Sequence, residues 1–198
     1  MRRLLALLFM SFAVLTLVAC GGDDGDGGED AAPSAEDESD EESDDSRGDD
    51  VENQAPEGID GVEAYDIDDN SHVEGSVDYE QSPPVAGPHN PVWVNCDFYS
   101  SEVPSENAVH ALEHGVVWIT FDGVDDDTLE TLAGFADDES HVLVSEFPDQ
   151  DSPLVLTAWN RQLPVDDVED PRVEEFLETY LLADTAPEPG ASCEGGVG

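Results

Sequence analysis

Residues 21–60 contain almost nothing that a protein core can hold, and this confines any fold to the chain that follows. The stretch is built of Gly, Ser, Asp and Glu, with 18 acids and Arg47 as its one base. Such a segment cannot recover its ordering entropy by burial, so it reads as a charge-extended tether. The foldable remainder, residues 61–198, still carries 32 acids against Arg161 and Arg172, and the chain has no lysine. So anionic a surface is repelled by nucleic acid and by anionic lipid headgroups, which excludes both as partners. A salt-rich habitat, where counterions screen the self-repulsion, accounts for the charge; a cation-attracting surface is the alternative reading.

Residues 1–20 are of a third kind. Two arginines precede an uncharged run from Leu4 to Ala19, and the segment ends Leu17-Val18-Ala19-Cys20. This pattern predicts a secretory signal, cleaved before Cys20 with a lipid placed on its thiol. The run is short for a membrane span, which needs about 20 residues. Whether it is cleaved or kept as an anchor, the rest of the chain is expected at the cell membrane, facing the extracytoplasmic side. With Cys20 assigned to lipid, Cys96 and Cys193 remain as a pair. Outside the cytoplasm a disulfide is the expected state of such a pair, with Cys96 as a metal thiolate or a free thiol as the alternatives.

Within 61–198 the sequence predicts a single α+β domain, a small sheet covered by helices and preceded by a loop-rich, proline-rich region. Residues 61–99 read as loops with short strands. Their stiffest part is SPPVAGPHNPVW, where Pro83, Pro84, Pro88 and Pro91 fix φ and hold His89 and Trp93 in place. Ser105 is positioned to cap a helix over 106–114, with Gly115 as its stop. The apolar runs 116–121, 141–147 and 153–160 read as strands. A helix over 125–136 has aspartates in its first turn, and a last helix over 171–183 opens on Pro171. The order α, β, α, β, β, α with short connections supports one layered domain.

The chemistry-bearing stretch is VHALEHGVVW, 109–118. At about 100° per residue, His110, Glu113 and His114 share one arc of the helix and Ala108, Val109 and Leu112 the other. Imidazoles four apart can chelate one ion, and H-x-x-E-H inverts the H-E-x-x-H zinc pattern. In the inverted enzymes the glutamate acts as general base toward a metal-bound water, which makes Glu113 the candidate catalytic residue. Two imidazoles alone make a weak site, so further ligands must come from elsewhere; His89, in the rigid loop, is one candidate. The bland reading is a polar helix face in water. His141 opens a strand and reads as structural or exposed.

These motifs carry a resemblance. HVEG (72–75), PPVAGPH (83–89), VHALEHGVVWITF (109–121), LTAWN (156–160) and APEPGASC (186–193) resemble the bacterial family called domain of unknown function 3105, over residues 71–193. The resemblance implies a membrane-anchored extracytoplasmic protein and no established activity. It places His72, His89, His110 and His114 in motifs and leaves His141 outside them. Family members usually have glycine where this chain has Asn160, which puts the local turn in question. Together the residues and the resemblance predict an extracytoplasmic lipoprotein that binds zinc or copper through His72, His89, His110 and His114. Nitrogen ligands favour those metals over calcium or magnesium. A zinc-dependent hydrolase using Glu113, and a non-catalytic interaction domain with structural histidines, are the competing readings. No nucleophile elbow and no phosphate loop is present.

Overall fold

The computed structural model describes residues 58–198. The signal segment, Cys20 and nearly all of the 21–60 tether lie outside the described residues. Among the described residues no helix is long and apolar enough to cross a membrane.

The domain is a mixed six-stranded sheet with three helices. Its elements are β1 (Glu63–Ala64), β2 (Phe98–Tyr99), α1 (Ser105–Glu113), β3 (Val117–Phe121), α2 (Asp126–Asp138), β4 (Val142–Glu146), β5 (Leu154–Ala158), β6 (Arg161–Val165) and α3 (Pro171–Tyr180). The strand order is β1-β6-β5-β3-β4-β2. β3 and β4 are parallel and joined through α2, as a parallel pair requires a crossover; β3, β5 and β6 run antiparallel.

The central strands are buried on both faces, which is why they read as unbroken apolar runs rather than alternating ones. Alternation reappears in how they pack. Val117, Ile119, Phe121, Val142 and Val144 join Leu132 of α2 and Val173, Phe176 and Leu177 of α3 in one core. Trp118 and Leu143 join Ala108, Val109, Ala111 and Leu112 of α1, together with Val85, Ala86 and Cys193, in the other. The sheet therefore separates a layer of α2 and α3 from a layer of α1, the proline loop and the C-terminal segment.

Asp125 caps α2 by accepting the Thr128 amide at 2.9 Å, and Asp170 caps α3 through the Arg172 amide at 2.9 Å. α1 departs from expectation. Pro104 is its N-cap and Ser105 makes no side-chain cap; the Pro104 carbonyl instead takes the amides of Asn107 and Ala108, both at 3.1 Å.

A second departure is β6, absent from the sequence reading. RQLPV carries two long polar side chains and a proline, which argue against a strand. Pro164 is accommodated because β1 pairs only Arg161 and Gln162, leaving its far side without a ladder. The turn into β6 is Trp159–Asn160, with Asn160 at φ 61°, a region that asparagine visits more readily than most residues. The Asn160 side chain also takes the Ile67 amide at 3.1 Å and donates to the Ile67 carbonyl at 3.1 Å. Asparagine thus supplies the turn that glycine would, and ties the 65–67 segment to the sheet.

A candidate metal centre

Three chain segments meet above α1. The first is 70–72, whose backbone forms a short parallel bridge with 89: the Val73 amide donates to the His89 carbonyl at 2.8 Å, and the His89 amide to Ser71 at 3.0 Å. The second is the proline loop, docked on the helix by the Asn90 amide to the Glu106 carbonyl at 3.2 Å. The third is α1, where His110 and Glu113 stand one turn apart on the same face. That face is not solvated. His89 is fully buried, and His110 and Glu113 are 4 % and 2 % exposed, because the loops close over it.

The rings of His72, His89 and His110 form a near-equilateral triangle, with centroids 4.8–4.9 Å apart. Glu113 Oε2 faces all three, 3.1 Å from His89 Nε2, 3.7 Å from His72 Nε2 and 4.0 Å from His110 Nε2. One ligand atom from each of the four residues lies within 4.8 Å of the others, so the cluster is capable of coordinating a metal ion.

The surroundings orient these ligands. His89 Nδ1 lies 2.8 Å from the Gly87 carbonyl, and His110 Nδ1 2.6 Å from the Asn90 carbonyl. A carbonyl only accepts, so both Nδ1 atoms carry hydrogen and both Nε2 atoms face the centre, where His89 Nε2 is hydrogen-bonded to Glu113 Oε2, a contact that a bound ion would replace. Asn70 Nδ2 donates to Glu113 Oε1 at 2.8 Å, which leaves Oε2 for the centre. Burial pushes His110 down to about 4, despite the bond to Asn90 that opposes the shift; the neighbouring histidines add to it. Its imidazole is therefore neutral at neutral pH, the form that binds metal.

The donor set suits a cation. Imidazole lone pairs and a carboxylate oxygen are all acceptors, and at these separations they repel unless a proton or a metal ion sits among them. Tetrahedral ligands about 2.0–2.2 Å from zinc stand roughly 3.3–3.6 Å from one another. The observed 3.1–4.0 Å contacts around Glu113 bracket that value, within a group whose donor atoms all lie within 4.8 Å of one another. His72, with its side chain 49 % exposed, is the member of the group on the solvent side.

The sequence-derived candidates divide. His72, His89 and His110 converge, and Glu113 joins them as a fourth donor. His114 stands outside that group, although the four-residue spacing placed it in the ligand set and its ring lies 4.7 Å from that of His110. It follows the last helical residue, and its Nδ1 donates instead to the Ser192 carbonyl at 2.8 Å. Its ring packs 5.0 Å from Trp93. His141 bonds Ser140 and the Ala191 carbonyl, away from the group. Cys96 and Cys193 are disulfide-bonded, with Cα atoms 5.4 Å apart. Asn70 escaped the sequence reading because nothing but its nearness to His72 marks it among the polar residues of that loop.

Comparison with known proteins adds a family and nothing more specific. No curated protein and no solved structure matches the chain. The family model described as "Protein of unknown function (DUF3105)" matches residues 72–195, a span that begins at the first histidine of the cluster and takes in both cysteines of the disulfide, and the chain belongs to that family.

Proposed function

We propose that this domain binds one transition-metal ion, zinc or copper(II), through His72, His89, His110 and Glu113, and that it does so as a lipid-anchored extracytoplasmic protein. The observation that carries the metal reading is the convergence of three imidazoles on the carboxylate oxygen of Glu113, with two of the imidazoles held through Nδ1 so that Nε2 faces that oxygen. Three nitrogens and one oxygen suit zinc or copper(II). The absence of methionine beyond Met10 removes the thioether that copper(I) favours. The anchor rests on the residues around Cys20 and on the acidic tether, which would hold the domain clear of the membrane.

Glu113 is read here as a ligand. A hydrolase would need Glu113 outside the coordination sphere with a water between it and the ion. Its Oε2 instead stands among the imidazole nitrogens, held by Asn70 from behind.

Elemental analysis of the purified protein after reconstitution with zinc and with copper tests the proposal. Roughly one ion per chain is expected, falling steeply in His89→Ala and His110→Ala. A wild type that retains neither metal sinks it. Retained metal in Glu113→Gln, together with loss of a hydrolytic activity that the wild type shows, would instead return Glu113 to the role of base.

A further inference from the structure

The C-terminal segment crosses the end of α1, and its contacts there serve no purpose in the sheet. Helix ends leave their last carbonyls without intrahelical partners. Here the carbonyl of the last helical residue and those of the two residues after it are taken by the segment that follows α3: the Glu113 carbonyl accepts the Glu188 amide at 2.9 Å, His114 the Gly190 amide at 3.0 Å, and Gly115 the Leu182 amide at 2.8 Å. The crossing is close. A Cβ on Gly115, at φ 86°, would stand 3.0 Å from Leu182 Cα.

Two further ties hold the segment down. His114 Nδ1–H donates to the Ser192 carbonyl, and the next residue, Cys193, is disulfide-bonded to Cys96 while its carbonyl takes the Cys96 amide at 3.0 Å. Beyond it, the Val197 amide donates to the Trp93 carbonyl and the Val197 carbonyl takes the Asn95 amide, both at 2.9 Å. Trp93 is thereby fixed with its ring 5.5 Å from His110 and 5.0 Å from His114.

We infer that His114 is a positioning residue, and that residues 186–197, closed by the Cys96–Cys193 disulfide, form a strap that holds Glu113 and His110 in ligating geometry. The inference rests on the metal-binding reading above. Glu113 is the last residue of α1, where a helix frays unless its end is satisfied. Its carboxylate must nonetheless meet two histidines from other segments. The strap satisfies that end, and His114, its ring 4.7 Å from that of His110, joins strap to helix beside the centre.

The test uses copper(II)-loaded protein, with affinity measured by chelator competition and the nitrogen ligands counted by electron paramagnetic resonance. His114→Leu removes the donor to Ser192; His114→Asn keeps an N–H at nearly the same place. We expect His114→Leu to weaken copper binding about 10–100-fold, the usual cost of losing an outer-sphere partner, with the same number of coordinated nitrogens as wild type. His114→Asn should restore most of the affinity, and the Cys96→Ser/Cys193→Ser double variant should weaken it without removing a nitrogen. One nitrogen fewer in both His114 variants overturns the inference by making His114 a ligand. Wild-type affinity in His114→Leu and in the double serine variant overturns it by making the strap irrelevant to the centre. If His114→Leu does not fold, as judged by circular dichroism, His114→Asn and the double serine variant decide. A wild type that binds neither copper nor zinc defeats the metal reading itself, a separate result visible before any variant is made.

Discussion

Loading the centre should raise the melting temperature of the wild type by about 9 °C, a rise that can be worked from the size of the domain. The candidate donors come from three separate segments, 72, 89 and 110–113, so the unfolded chain holds no preformed site and binding energy would become folding energy. With free metal at about 100 times Kd, linkage contributes roughly 2.7 kcal/mol. The described domain has about 140 residues, and unfolding near 60 °C releases roughly 2.1 cal/mol/K per residue, or about 0.3 kcal/mol/K in all. The quotient is the rise given above. The assay is a thermal melt of the chelator-stripped protein with and without zinc or copper, repeated for Glu113→Gln and His89→Ala. The variants should show a small fraction of the wild-type rise. A wild-type rise under about 2 °C at saturating metal, or an equal rise in both variants, refutes the reasoning.

Four further outcomes follow from the same contacts. Asn70→Ala leaves Glu113 Oε1 without its donor, and metal affinity measured by competition should fall about 10-fold. Opening the disulfide, which closes a loop across a sequence separation of 97 residues, should cost about 4–5 kcal/mol in the chain-entropy account, read as a shift of the urea midpoint on reduction. Asn160→Gly keeps the left-handed turn but loses both side-chain bonds to Ile67; a loss of about 1–2 kcal/mol is expected in denaturant unfolding, and a gain in stability would contradict the role assigned to asparagine. The metal-free protein should also be acid-sensitive. His110 sits at about 4 when folded against 6.5 when free, so between those values the unfolded chain takes up a proton that the folded one refuses. The stability this imidazole contributes is whole above pH 6.5 and lost as pH falls through 4, on the order of 3 kcal/mol. Urea titrations at pH 7, 5 and 4 should show that loss in wild type and not in His110→Gln.

Much of the architecture was legible because local chemistry and tertiary packing agree. The aspartates of 125–127, the Asp-Pro pair at 170–171 and the apolar runs of β3, β4 and β5 each carry their structure in their own neighbourhood. β6 was not legible: its strand is set by pairing with β5 across the Asn160 turn, and its own residues argue against it. The missing Ser105 cap is a smaller case of the same kind, since the Pro104 carbonyl takes the amides that a serine would compete for.

The centre divides the same way. Helical spacing alone put His110 and Glu113 on one face, and the stiff proline loop alone marked His89 as held in place. Spacing also brought His110 and His114 together, and their rings do lie 4.7 Å apart, but His114 is not in the four-residue group. A periodicity gives the direction in which a side chain leaves its helix, but what it meets depends on which distant segment lies there. Above His110 that segment carries His72 and His89; beside His114 it is the C-terminal strap with the Ser192 carbonyl. The sequence by itself determined the candidate donors, the cysteine pair and the layer of helix that presents Glu113. Only the tertiary structure decided that Glu113 stands in one group with His72, His89 and His110 and that His114 does not, because such a group requires atoms within a few ångströms and those contacts join residues far apart in the chain.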